Sequence, residues 1–454
     1  MAVCGMHIFL IAGILVALVA SGAEEKAFDP LVYARGAGQW FLSVAKDHDG
    51  ALTWPVNDTD RKEPSFDLYS GMPGGILLLA ELGKEDPAGP FNKAVGASVI
   101  GLESLRIGDA WGMRKGDKLE VPMGLYTGLS GIGWLYLELF RITGEQVYRG
   151  KAQLAVSQLM ARRSSLEGSA LWDDSNDIIS GAAGIGLFLI RAAEDLKEPR
   201  YLALARHAGD YLLSQVINTP TGVKWKTSES TDKLYPNFAH GTAGMAYFLL
   251  RLYEATEDRS YFMAAMGAAA ELETIAEVQE KGKRCTWYHH EGDGEDLWYV
   301  GWCHGPAGTA RLFYELSKVN KLPRWSKWVN CSANWLIASG IPDPSRPING
   351  YWNESICCGT AGVGDFLLDL YRSSGNKEYL QAAGRMAAHL AKSASSGAGQ
   401  GFRWIQAEHR VTPDKKEAQT GYAQGAAGMG LFFLKLSRVQ RAVPAGWRLP
   451  DNPF

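Results

Sequence analysis

The chain has 454 residues, 46% hydrophobic and 21% charged, with a formal net charge of −3. That balance excludes the basic footprint of a nucleic-acid binder, and no run of like charges is long enough to serve as an interaction tail. Length alone predicts about three domains of roughly 150 residues, an expectation that the periodicity described below replaces with one.

The first element is residues 8–19, IFLIAGILVALV. It is shorter than the roughly 20 residues of a membrane span and fits the core of a signal peptide. Ser21, Gly22 and Ala23 follow, so cleavage is expected after Ala23, with residues 1–23 as signal peptide and 24–454 as one mature domain. The body is then exported, periplasmic or secreted. The leading MAVCGMH carries no Lys or Arg, so the alternative is an uncleaved N-terminal anchor, and membrane association is expected only through this segment.

Seven similar segments come next. They read SGMPGGILLLAEL from Ser70, TGLSGIGWLYLEL from Thr127, SGAAGIGLFLIRA from Ser180, HGTAGMAYFLLRL from His240, HGPAGTARLFYEL from His304, CGTAGVGDFLLDL from Cys358 and QGAAGMGLFFLKL from Gln424. Their first glycines lie 53 to 66 residues apart, a period that marks a repeat architecture. G-x-x-G permits close backbone approach where a helix begins. The helix that follows is apolar on nearly every side and must be buried. Amphipathic stretches between motifs, such as 148–160, 201–216 and 379–391, belong outside. Strand signals are sparse. The predicted fold is therefore all-α, an α/α toroid of seven helical hairpins whose inner helices all begin at one end of the ring. The residue before each first glycine should face that end near the axis: Ser70, Thr127, Ser180, His240, His304, Cys358 and Gln424.

Of six cysteines, Cys4 leaves with the signal, and an odd count of five is not a disulfide framework. Cys303 sits in the fifth motif; Cys357 and Cys358 sit side by side in the sixth. Neighbouring hairpins would bring the three together at helix N-termini, which favour the thiolate. Three thiolates and an open fourth position make a catalytic zinc site. The competing reading is three buried small hydrophobes, or a disulfide between Cys357 and Cys358. Cys285 and Cys331 lie outside the motifs and are read as buried thiols or one disulfide. Trp54, Trp111, Trp172, Trp225, Trp287, Trp352 and Trp404 each precede a motif. They are read as anchors for the loops that cross the ring mouth, the alternative being a groove lining for peptide or sugar.

The seven motifs, in their order and spacing, resemble the lanthionine synthetase C-like family over nearly the whole chain after the signal. The resemblance implies zinc held by Cys303, Cys357 and Cys358, with cysteine at Cys358 where most members have histidine. It also implies acid/base work by Asp177, in the sequence DIISG, and by His240. His304 follows Cys303 as in the family's eukaryotic members and completes the expected catalytic set. Tyr299 stands where the cyclases carry an arginine, four residues before the first zinc cysteine.

The chemistry implied is addition of a cysteine thiol to dehydroalanine or dehydrobutyrine in a peptide or protein, giving a thioether. A small thiol such as glutathione is a possible second partner, no nucleic acid is expected, and a monomer suffices. Two other classes stay open. Helical toroids also host exported glycoside hydrolases and lyases, which need paired carboxylates; Asp173, Asp174, Asp177 and Glu354 are the available ones. The third class is a zinc- and thiol-binding scaffold without turnover.

Overall fold

The computed structural model describes residues 28–59, 63–163, 172, 174–343, 345, 350–396, 401–444 and 446–454. The apolar segment read as a signal peptide and Asp173 lie outside the described residues. No described helix is long and apolar enough to cross a membrane.

Fourteen α-helices are found among the described residues, and they alternate between two layers. The outer helices are α1 (Pro30–Val44), α3 (Pro90–Ser104), α5 (Gln146–Arg162), α7 (Arg200–Ser214), α9 (Arg259–Ile275), α11 (Pro323–Ala338) and α13 (Lys377–Ser393). The inner ones are α2 (Met72–Glu85), α4 (Leu129–Thr143), α6 (Ala182–Leu196), α8 (Thr242–Thr256), α10 (Pro306–Val319), α12 (Thr360–Ser374) and α14 (Ala426–Gln440). Each inner helix packs most extensively on the outer helix that follows it. α14 has none to follow it and packs on α1, which closes the ring. Inner helices also touch their inner neighbours all the way round, α10 and α12 least closely. The seven hairpins expected from the repeat are present.

Burial follows the sequence pattern. In α2 every residue from Met72 to Gly83 is buried, whereas α13 buries only Tyr379, Ala382, Ala383, Met386, Ala387 and Leu390, a single helical stripe. The motif glycines are needed for space. A Cβ at Gly308 would overlap the carbonyl oxygen of Trp302, and one at Gly186 would overlap the Phe248 ring of the next hairpin.

At the motif end the hairpins are tied by a closed belt of seven backbone N–H···O bonds. They run from Tyr69 to Tyr126 (2.9 Å), Tyr126 to Ile179 (2.9 Å), Ile178 to Ala239 (3.1 Å), Ala239 to Cys303 (3.0 Å), Cys303 to Cys357 (3.1 Å), Cys357 to Ala423 (2.9 Å) and Ala423 back to Tyr69 (2.9 Å). The connecting loops also form short ribbons and one three-stranded sheet, in which Gly294–Tyr299 pairs antiparallel with Tyr288–His290 and parallel with Gly350–Tyr351. These strands are two to six residues long, too short to leave an alternating signature in the sequence.

Towards the other end, the tenth residue of every inner helix is charged: Glu81, Glu138, Arg191, Arg251, Glu315, Asp369 and Lys435. Arg141 bridges Glu81 (2.7 Å) and Glu138 (2.8 Å), Arg191 reaches Glu138 (3.3 Å), Arg251 faces Glu315 (3.7 Å), and Lys435 holds Asp369 (2.7 Å). Arg438, 2% exposed, bonds the fully buried Glu81 at 2.7 Å. Removing one partner of such a pair strands a buried charge. Glu81→Leu should therefore lower stability by about 3–5 kcal/mol, read as a fall in the urea midpoint, whereas Glu81→Leu combined with Arg438→Met should lose less than the single change.

Candidate metal centre

Gly305 and Gly359 cap α10 and α12 in extended conformation. The turns before them are closed by the amide of Gly305 on the Gly301 carbonyl (3.0 Å) and of Gly359 on the Ser355 carbonyl (3.2 Å). Ser355 Oγ accepts from the Cys358 amide at 3.1 Å. The belt bond from Cys303 to Cys357 sets the two turns side by side. As a result Cys303 Sγ lies 3.2 Å from Cys358 Sγ, which lies 3.4 Å from Cys357 Sγ, and all three fall within 4.8 Å of one another. A tetrahedral zinc with Zn–S of about 2.3 Å spaces its sulfurs about 3.8 Å apart, so a shift of a few tenths of an ångström would admit the ion. All three cysteines are free thiols, buried to within 8% exposure, so the alternative disulfide between Cys357 and Cys358 is not formed. The donor set and spacing fit zinc.

The sulfurs do not come from one register. Cys358 occupies the position before the first glycine, which the repeat singles out. Cys303 and Cys357 stand one residue earlier, in the belt. Two further belt and motif residues feed the cluster: Tyr69 donates its hydroxyl to Cys357 Sγ (3.5 Å), and Gln424 donates Nε2 to Cys358 Sγ (3.6 Å) and to the Tyr69 oxygen (3.0 Å). Hydrogen bonds from Cys303 and Cys357 hold the Cys358 thiol well below the usual thiol range, with Gln424 adding to them. Burial pushes Cys303 well up.

Asp177, 1% exposed, serves two groups at once. Its Oδ1 accepts from the amides of Ser180 (2.8 Å) and Gly181 (2.9 Å), closing the turn that leads into α6, and its Oδ2 meets His240 Nδ1 at 2.5 Å. The cap of α6 is Gly181, so Asp177 orders the turn before the helix rather than capping it. The belt bond from Ala239 to Cys303 brings His240 beside His304, their rings stacked 5.4 Å apart. The His304 Nδ1 is buried without a hydrogen-bond partner. Burial and the neighbouring histidines push the His304 ring well below the usual range, so it is neutral. The structure thus brings Cys303, Cys357 and Cys358 into one cluster, pairs Asp177 with His240, and stacks the neutral His304 on His240.

Loop residues that the motifs do not reveal complete the mouth. His289 lies 4.2 Å from the His304 ring and 4.4 Å from Tyr299, and burial together with His290 takes it down to about 3. Tyr299 packs against Tyr351 (5.4 Å) and is pushed up to about 12 by burial, partly offset by a bond from Arg410. A guanidinium therefore reaches the neighbourhood of Tyr299 from the seventh hairpin. Tyr351 in turn donates to the carbonyls of Ala407 and Glu408, both at 2.8 Å. Tyr69, His289, Tyr351 and Arg410 carried no signal in sequence beyond adjacency to a motif or a place in a loop.

The carboxylates considered for sugar hydrolysis are dispersed. Both oxygens of Asp177 are engaged, Asp174 is exposed, and Glu354 pairs with His389 on α13 at 2.9 Å. Cys285 and Cys331 form a disulfide away from the site. Five of the seven tryptophans behave as anchors: Trp111, Trp172, Trp225, Trp287 and Trp404 donate Nε1 to carbonyls of Leu102, Leu159, Leu212, Leu272 and Leu390 near the ends of outer helices, whereas the buried Nε1 of Trp54 makes no such bond.

The geometry has known counterparts. Nisin cyclase superposes with a TM-score of 0.62 at 16% identity, covering 85% of this chain and 92% of its own. The Lin0763 protein from Listeria innocua superposes with a TM-score of 0.51 at 13% identity, covering 91% and 98% respectively. Both likenesses are of fold. Across residues 63–446, the sequence matches the model of the lanthionine synthetase C-like proteins, and the chain belongs to that family.

Proposed function

We propose that this chain is a zinc-dependent thioether-forming protein that adds a cysteine thiol to dehydroalanine or dehydrobutyrine in an exported peptide or protein. The observation that carries this reading is the convergence of three free, buried cysteines at the motif end, to which the belt bond from Ala239 to Cys303 also ties the loop of the Asp177–His240 pair. Zinc on those three sulfurs would leave a fourth tetrahedral position for a substrate thiol, lowering its pKa while keeping the sulfur nucleophilic.

The protein's own groups divide the remaining work. Asp177 fixes the His240 ring by taking Nδ1, which leaves Nε2 available to accept the thiol proton. The new bond joins sulfur to the β-carbon, the electron pair moves towards the carbonyl, and the proton returns to the α-carbon; no group leaves. The neutral His304, the low-lying His289 and Tyr299 bring no charge of their own to the mouth. Arg410, which bonds Tyr299, would supply a cation for the carbonyl that gains electron density. The disulfide between Cys285 and Cys331, a linkage typical of oxidising compartments, supports export together with the N-terminal apolar segment. A small thiol such as glutathione is the alternative donor.

Two measurements test this. Elemental analysis of protein purified under reducing conditions should find one zinc per chain, and Cys358→Ala should weaken or abolish it; a metal-free wild type would sink the reading. Asp177→Asn should retain zinc and fold with a modest loss from the weakened turn before α6, but slow addition by about 10²–10⁴-fold. Addition is followed as loss of alkylatable thiol in a dehydroalanine-containing peptide of unchanged mass. Zinc-loaded wild type and Asp177→Asn that are equally inert would make the protein a scaffold.

A further inference from the structure

The family match ends at residue 446, yet the chain continues to Phe454 and turns inward. The last residues enter the barrel from the end opposite the motifs. Trp134 Nε1 donates to the Arg448 carbonyl (3.1 Å), Asn452 donates to Asp369 (3.1 Å), Lys318 donates to the Pro453 carbonyl (3.1 Å), and Phe454 packs on Tyr314 at 4.0 Å. Inner helices from several hairpins thus grip a segment of only nine residues.

At its centre Asp451 is fully buried. Its Oδ2 accepts from Trp302 Nε1 at 2.9 Å and from the Tyr126 hydroxyl at 3.2 Å. Arg311 faces the same carboxylate at 3.7 Å and donates to the Asp451 carbonyl at 3.2 Å. Trp302 directly precedes Cys303, and Tyr126 is itself a belt residue. They belong to hairpins on opposite sides of the ring, so one carboxylate spans the barrel beneath the cysteines. Trp302 also packs on Tyr126 at 4.9 Å. Leu449 shares with Cys357, Trp302 and Tyr126 a small internal cavity of about 10 Å³, room for about one water. The tail therefore reaches the underside of the cluster itself.

We propose that the C-terminal tail is the floor of the metal centre and that Asp451 is a positioning residue, fixing the Cys303 sulfur through the Trp302 indole. The reasoning is steric and electrostatic. Cys303 is held by its backbone in the belt, and the tilt of that backbone is set by how its neighbour's indole is anchored. Without the carboxylate, the buried indole N–H of Trp302 and the Tyr126 hydroxyl lose their acceptor and the buried Arg311 loses its counter-charge, and the local structure must rearrange to satisfy them. Groups one step behind metal ligands commonly change metal affinity by about 10–100-fold when removed.

This inference rests on the metal reading above, and the test separates the two. Full-length wild type, Asp451→Asn, Trp302→Phe and the double variant are compared by zinc competition with a chromophoric chelator and by the thiolate-to-metal and d–d bands of the cobalt(II) forms. Each single variant should weaken zinc binding about tenfold or more and alter the cobalt bands, and the double should be little worse than either single, as expected of residues acting through one another. A folded Asp451→Asn with wild-type affinity and cobalt spectrum, even at a lowered thermal midpoint, would overturn the inference and leave the metal site intact; so would singles that add fully in the double. A wild type that binds neither ion would instead bring down the metal reading, and this inference with it.

Discussion

Seven backbone hydrogen bonds, each passed from one hairpin to the next until the first is reached again, hold the inner helices in register at the motif end. Such a belt constrains everything near it. Each loop must present an amide to one neighbour and a carbonyl to the other, which leaves little freedom in the backbone where the helices begin. Glycine caps follow, because the chain must turn into a helix while a carbonyl of its own loop, a few residues back, lies against it. The convergence of seven helix N-termini follows too, and with it a local field that favours negative charge. For the thiols placed there, that field works against burial, which pushes Cys303 up.

Much of this was legible in the sequence because it repeats. The glycine period locates the hairpins, and the fully apolar segments after each motif identify the inner layer. The cysteines of the fifth and sixth motifs could be brought together by reasoning about adjacent units alone. What the repeat could not settle was the one-residue offset between Cys303 or Cys357 and the position before the glycine. That offset depends on the belt, a long-range pairing of loops with no pattern of its own. The same is true of His289 and Arg410, which reach the mouth on loops of individual length and shape. The charged tenth residues were visible letter by letter. In isolation, however, a glutamate or arginine in an apolar helix looks like a local irregularity, and its partner lies one or more hairpins away.

The two ends of the barrel solve different electrostatic problems. At the motif end the groups are soft or neutral: three sulfurs, an uncharged His304, a depressed His289 and tyrosines held in their phenol form. Asp177 is paired with His240 there, and Arg410 reaches Tyr299 from a loop. Towards the other end carboxylates and guanidinium groups are packed close together and neutralise one another in an interlocking set. The tail crosses from the second region into the first, where Asp451 meets Trp302 and Tyr126. A barrel built this way keeps its densest set of buried ion pairs apart from the sulfur cluster.

The pairing of α1 with α14 has a consequence for how the molecule comes into being. The outer partner of the last hairpin is made first, and its mate is among the last segments to be synthesised. Until then α1 has an unfilled apolar face, and Cys357 lacks Ala423, the acceptor of its amide. The cysteine cluster is therefore not in its final shape on any shorter nascent chain, so whatever the three sulfurs bind is bound by the finished ring.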